Sequence, residues 1–106
     1  MYHITENNFK KVVLESNVPV IIEVTADWCG TTHITKPILN RIISKYKNKI
    51  RYCTLDFEKY GKIAEGLGIH SIPVLLIYNN AILESTITGT YAIDVLEYEI
   101  SLLLTT

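Results

Sequence analysis

Cysteine is scarce in this sequence. There are two in 106 residues, too few for a chain held together by disulfides. Excess charge of one sign is also missing. Ten Lys and Arg stand against eleven Asp and Glu, for a formal net charge of -1 and a pI near 6.3. That balance offers no basic field for nucleic acid or an anionic membrane. No apolar run approaches the roughly 18 residues that a membrane span needs. The opening Met1-Tyr2-His3-Ile4-Thr5-Glu6 lacks a basic segment followed by an apolar one, so no signal peptide is expected. No repeat, linker or low-complexity segment interrupts the chain. What is present is apolar: 48% hydrophobic against 20% charged residues, with a mean hydropathy of +0.20. This composition excludes a disordered chain. Its length suits one core. The expectation is a single cytoplasmic domain over 1–106, without nucleic-acid or membrane partners; its oligomeric state is not legible.

The apolar residues are patterned. Thr5 is placed to cap a first helix over 6–15, with Phe9, Val12 and Val13 on its apolar face. The run 20–26 is β-branched and almost continuously apolar, as in a strand covered on both faces. Ile34, Ile38, Ile42 and Tyr46 then recur every four residues beside Leu39 and Ile43, the spacing of an amphipathic helix. Pro37 lies inside it and should kink it. A strand over 50–57 and a short helix over 59–66 follow, the helix ending around Gly66-Leu67-Gly68. Segments 73–78 and 82–88 read as a hairpin turning around Asn79-Asn80. A last helix after Gly89-Thr90 turns Ile93, Leu96, Ile100 and Leu103 inward. A short strand at Tyr2-His3-Ile4 is compatible with the pattern. Alternating helices and strands closed by a hairpin predict an α/β fold, a mixed sheet covered on both faces.

The strongest chemical signal is Trp28-Cys29-Gly30 at the strand-to-helix junction. Free N–H groups and the positive end of a helix dipole favour thiolate over thiol there. Cysteines so placed titrate between about 3.5 and 7.5, against about 8.5 for a free one. The competing reading is a small buried hydrophobe, but helix starts beyond parallel strands face outward. Ala26-Asp27-Trp28-Cys29-Gly30, Pro37-Ile38-Leu39 and Gly68-Ile69-His70-Ser71-Ile72-Pro73-Val74-Leu75-Leu76 together resemble thioredoxin, over essentially the whole chain. The resemblance implies the thioredoxin fold, a central sheet of four or five strands flanked by helices on both faces. It implies Cys29 as the attacking cysteine and Trp28 as an aromatic lip. Gly30, Thr31, Ile72 and Pro73 would meet the substrate, and the Ile72-Pro73 bond would be cis.

The departure from the family is as informative as the match. The family's motif is Cys-x-x-Cys; here it is Cys29-Gly30-Thr31-Thr32, followed by His33. Thr32 stands where the resolving cysteine would stand, and cannot attack a mixed disulfide. Cys53, in the middle of a strand, reads as a core residue some 10 Å or more from Cys29. Thr32 either donates a hydrogen bond to the Cys29 sulfur or bonds its own backbone. His33 reads as a solvated surface residue, and His70 as either a rim or a plain surface residue. No Cys or His spacing suits a metal. Glu23 interrupts an apolar strand at the position where the family has a buried aspartate; it reads as a retained site carboxylate. The lysine that usually faces it is replaced by Thr54.

Three functions compete. The first is a monothiol redox protein in which Cys29 attacks disulfides or mixed disulfides and an external thiol completes the cycle. That thiol would be glutathione or a protein thiol, with no bound cofactor. The second is a redox-inert module binding extended peptide beside Trp28 and Ile72-Pro73. The third resembles monothiol glutaredoxins, but Gly89-Thr90-Tyr91 replaces their paired glycines and acidic cap.

Overall fold

Strand β2 (Val20–Thr25) is the centre of the molecule. Five of its six residues are buried, because it is paired along both edges and covered on both faces. Our computed structural model describes residues 2–26, 31–88 and 93–105, with side chains left out at 31–36, 38 and 93. On one edge β2 runs parallel to β3 (Arg51–Asp56), in the register Ile22↔Cys53 and Glu23↔Thr54. On the other it runs antiparallel to β4 (Val74–Asn79), with Val24↔Val74. A two-residue strand β1 (Tyr2–His3) extends the sheet beyond β3, and β5 (Ile82–Thr88) pairs antiparallel with β4. The order is β1-β3-β2-β4-β5. This is the mixed five-stranded sheet of the expected fold.

Alternation along the strands feeds two apolar layers. On one face Val20, Ile22, Val24, Cys53 and Leu55 pack with Val12 and Val13 of the first helical segment and Ala64 of α2 (Gly61–Gly66). On the other, Ile21, Tyr52, Leu75 and Ile77 pack with Leu39 and Ile42 of α1 (Thr31–Lys45) and Leu96 and Ile100 of α3 (Ile93–Leu104). Each fully buried Ile or Leu contributes about 1.5–3 kcal/mol. The helical period is visible in α1, where Leu39 and Ile42 are buried and Ile43 half-buried, and it continues to half-buried Tyr46 just past the helix end. Pro37 lies within α1 on its exposed side. The Ile34, Ile38 and Ile93 side chains fall outside the described residues.

Two local expectations are corrected. The helix over 6–15 is a five-residue π-helical segment, Lys10–Leu14. The segment before it is held as a turn: Thr5 N–H donates to Asn8 Oδ1 at 2.7 Å, and Asn7 N–H to Thr5 Oγ1 at 3.2 Å. The hairpin turn lies one residue later than Asn79-Asn80, on Asn80 and Ala81. Both have positive φ, +52° and +67°, as a two-residue turn between right-twisted strands requires.

Helix α2 ends as its glycines indicate. Gly68 adopts φ +77°; its N–H donates to the Glu65 carbonyl at 3.0 Å and the Ile69 N–H to the Ala64 carbonyl at 2.9 Å. These two bonds form a Schellman motif, which needs a left-handed residue at this point. It turns the chain into buried Ile69 and on to the cis Ile72-Pro73 bond that opens β4.

A Cβ at Gly68 would meet nothing within 4 Å, so Gly68→Ala isolates the conformational cost. It should destabilise by about 1 kcal/mol, lowering Tm by about 4–8 °C. Ala81→Gly should act oppositely. Relief at positive φ exceeds the added chain entropy by about 0.5 kcal/mol, raising Tm by about 2–4 °C in a thermal melt.

Candidate functional site

Two chain segments meet the carboxyl end of β2, and α1 is the next described element after it. The strand itself ends at Thr25, whose carbonyl accepts the Phe57 N–H at 2.8 Å. That bond anchors the loop leaving β3. The β2–β4 ladder reaches Val24↔Val74, so one further step sets Pro73 beside the level of Thr25. Helix α1 begins at Thr31. Ile72 and Pro73 are half-buried and His70 is exposed. Thr31 and Thr32 open α1, and His33 lies in its first turn. Trp28, Cys29 and Gly30 lie outside the described residues, as do Gly89, Thr90 and Tyr91. Of the sequence-predicted residues, Glu23 lies in β2 and Ile72 and Pro73 precede β4 at the level of the β2 carboxyl end, while Thr31 and Thr32 open α1, the next described element of the chain.

Glu23 is buried at 5% exposure. Strand alternation directs it, with Ile21, to the face covered by α1 and α3. An isolated carboxylate there would be costly. The Tyr52 hydroxyl donates to Glu23 Oε1 at 2.5 Å. Tyr52 is itself 6% exposed. Register explains the meeting. Tyr52 stands opposite Ile21 and Thr54 opposite Glu23, so Tyr52 is the diagonal neighbour of Glu23 on the same face. Thr54 does face Glu23, as the sequence indicates, but its Oγ1 lies 2.7 Å from His3 Nδ1 on β1. Sequence reasoning missed Tyr52. The available signal was its place two residues before Thr54, on the same side of the strand.

Cys53 points to the opposite face and is completely buried. Burial, partly offset by Arg51 and the N-terminus, pushes its thiol up to about 12. It sits level with Ile22, four residues or about 13 Å of strand before Ala26. Such a thiol is neither exposed nor ionised near neutral pH, so it is inert as a nucleophile. Among the described residues, no group of three or more His, Cys, Asp or Glu could hold a metal ion. Nor is any helix among them long and apolar enough to cross a membrane.

The family model for thioredoxin matches residues 1–101. The chain belongs to the thioredoxin family. It is 35% identical over 86 residues to the chloroplastic M-type thioredoxin of Chlamydomonas reinhardtii, covering 81% of this chain and 61% of that protein. A Rickettsia felis thioredoxin is 32% identical over 87 residues, covering 82% and 83% of the two chains. Thioredoxin 1 of a Nostoc species is 35% identical over 75 residues, covering 71% and 70%. The chain thus spans about three-fifths of the chloroplast protein and most of the Rickettsia one. Thiol–disulfide redox chemistry on protein thiols and disulfides is the general function of thioredoxins.

Cys53 gives a test of the buried thiol. In native protein at pH 8 its thiolate fraction should be about a thousandfold below that of a free cysteine, and iodoacetamide should modify it only after unfolding. A thiol raised in the folded state keeps its proton while the unfolded one loses it. The folded state should therefore lose stability as pH climbs from about 9 toward 12. Urea melts across that range should show a steeper loss for the parent chain than for Cys53→Ala.

Proposed function

We propose that the chain is a monothiol thiol–disulfide oxidoreductase of the cytoplasm, with Cys29 as its nucleophile. The Cys29 thiolate attacks one sulfur of a substrate disulfide, forms a mixed disulfide and releases the other sulfur as a thiolate. An external thiol then attacks the substrate sulfur of that mixed disulfide. Cys29 leaves as thiolate, the substrate sulfur passes into a disulfide with the external thiol, and the attacking thiol gives up its proton. Glutathione or a partner protein's cysteine serves as that thiol, and no bound cofactor is needed. Trp28, Gly30, Thr31, Ile72 and Pro73 line the path of the substrate segment. Thr32 stands beside the nucleophile and Glu23 supplies the buried carboxylate.

The observation that carries the monothiol reading is the burial of Cys53. With Thr32 in place of a second motif cysteine, Cys53 is the other cysteine in the chain, and its raised, fully covered thiol does not suit a resolving role.

The test is turnover of a glutathione–peptide mixed disulfide by catalytic amounts of protein in the presence of glutathione. The parent chain and Cys53→Ala should turn over alike, while Cys29→Ala should fall to the uncatalysed rate. Pre-reduced Thr32→Cys, used stoichiometrically, should gain reduction of a protein disulfide without glutathione, its two motif thiols giving up two electrons and two protons as they close to a disulfide. Turnover unaffected by Cys29→Ala would sink the redox reading and leave a peptide-binding module.

A further inference from the structure

The amino end of the sheet carries a concavity of its own. A cleft of about 690 Å³ opens there, between the start of β3, the end of α1 and the segment before β2. That volume falls within the range of small-molecule sites, about 300–1,000 Å³. The described residues that line it include two cations, Lys47 and Arg51, one acid, Glu15, and the apolar side chains of Ile43 and Ile50. Arg51 pairs with Val20 and Asp56 with Thr25, at the two ends of the β2–β3 ladder. About 16 Å of strand therefore separates the cleft from the carboxyl end of β2.

Arg51 is fixed in this cleft before any ligand arrives. Its guanidinium carbon lies 4.7 Å from the centroid of the Tyr2 ring, which also lines the cleft. Its Nη1 donates to the Val12 carbonyl at 2.8 Å. That bond uses one of the five N–H donors of a planar fork. The ion pairs among the described residues, Lys10–Glu15 and Lys45–Glu97, do not involve Arg51. Lys47 is placed by its backbone. It forms a β-bridge with Ile50 across a turn in which Asn48 has φ +71°. The Lys49 and Ile50 N–H groups both donate to the Tyr46 carbonyl, at 2.9 and 3.2 Å, and close that turn. Donors already held lose less freedom on binding than mobile ones.

We propose that this cleft binds a small organic oxyanion, a phosphate or carboxylate joined to an apolar body. Arg51 holds the oxyanion through parallel N–H groups, and Lys47 adds a second positive charge. The Tyr2 ring, Ile43 and Ile50 cover the body. The size of the cleft and the net charge of -1 set nucleic acid aside. Binding here does not depend on the redox reading of Cys29.

The probes are phenyl phosphate and benzoate, with inorganic phosphate and benzyl alcohol as the separate halves. Each is titrated into the full chain and followed by backbone amide NMR shifts. Phenyl phosphate or benzoate should shift the Tyr2, Lys47 and Arg51 amides saturably, with a Kd of about 1 mM or below. The tighter of the two assigns the oxyanion, and equal affinities support either kind. Each half alone should bind at least about tenfold more weakly. Benzyl alcohol binding as tightly as the anions overturns the oxyanion, and inorganic phosphate binding as tightly as phenyl phosphate overturns the apolar body. Arg51→Gln should weaken binding about tenfold. Lys47→Gln should weaken it about twofold, and Glu15→Gln, which removes the acid, should strengthen it about twofold. Absence of saturable shifts at these amides overturns the proposal, as does unchanged affinity in Arg51→Gln. If Arg51→Gln does not fold, the exposed Lys47 and Glu15 variants decide, and affinities that do not move in opposite directions overturn it.

Discussion

The pairing of β2 along both edges is the constraint on which the rest of the structure depends. Parallel bonds to β3 and antiparallel bonds to β4 leave this strand no freedom to slide. A slip of one residue would turn Ile22 and Val24 out of one layer and put Glu23 in their place. The same two ladders decide what stands at its carboxyl end. One brings the β3 loop to Thr25 through Phe57, the other brings Pro73 alongside, and the strand then runs on toward α1. The site is thus a by-product of register. Residues distant in sequence meet because the central strand fixes the level of each neighbour.

Much of this was legible beforehand, for identifiable reasons. The run 20–26 is covered on both faces and so shows an unbroken apolar stretch. Helices α1 and α3 are covered on one, and their buried Leu39, Ile42, Leu96 and Ile100 repeat at helical spacing. Gly68 was readable as a stop because few other residues tolerate its backbone angle. The first helix was misread because Thr5 and Asn8 have side chains that satisfy backbone groups locally. Those bonds, with Asn8 Nδ2 donating to the His3 carbonyl at 2.9 Å, hold a turn where the apolar spacing alone suggested a helix. Arg51 then commits its Nη1 to the Val12 carbonyl at 2.8 Å, a long-range contact with no local signature.

The candidate site divides in the same way. Glu23 could be found in the sequence, since a carboxylate inside an apolar strand is conspicuous. Its partner could not, because the choice between Tyr52 and Thr54 depends on side-chain reach across a register that only the folded sheet supplies. Thr54 is directly opposite, but the longer Tyr52 makes the bond from the diagonal. Cys53 was legible as core from its place in the strand, where it is completely buried.

That burial also bears on molecularity under the proposed monothiol reading. A chain with two accessible thiols closes a ring when oxidised, and the balance between ring and open forms is independent of how much protein is present. With Cys53 withdrawn into the core, a chain reacting through Cys29 would be univalent toward disulfides. Any bond made through Cys29 would then join it to a second molecule, as a heterodimer, an adduct or a pair of identical chains. The balance between free and oxidised forms would follow the concentration of surrounding thiols rather than a fixed internal equilibrium.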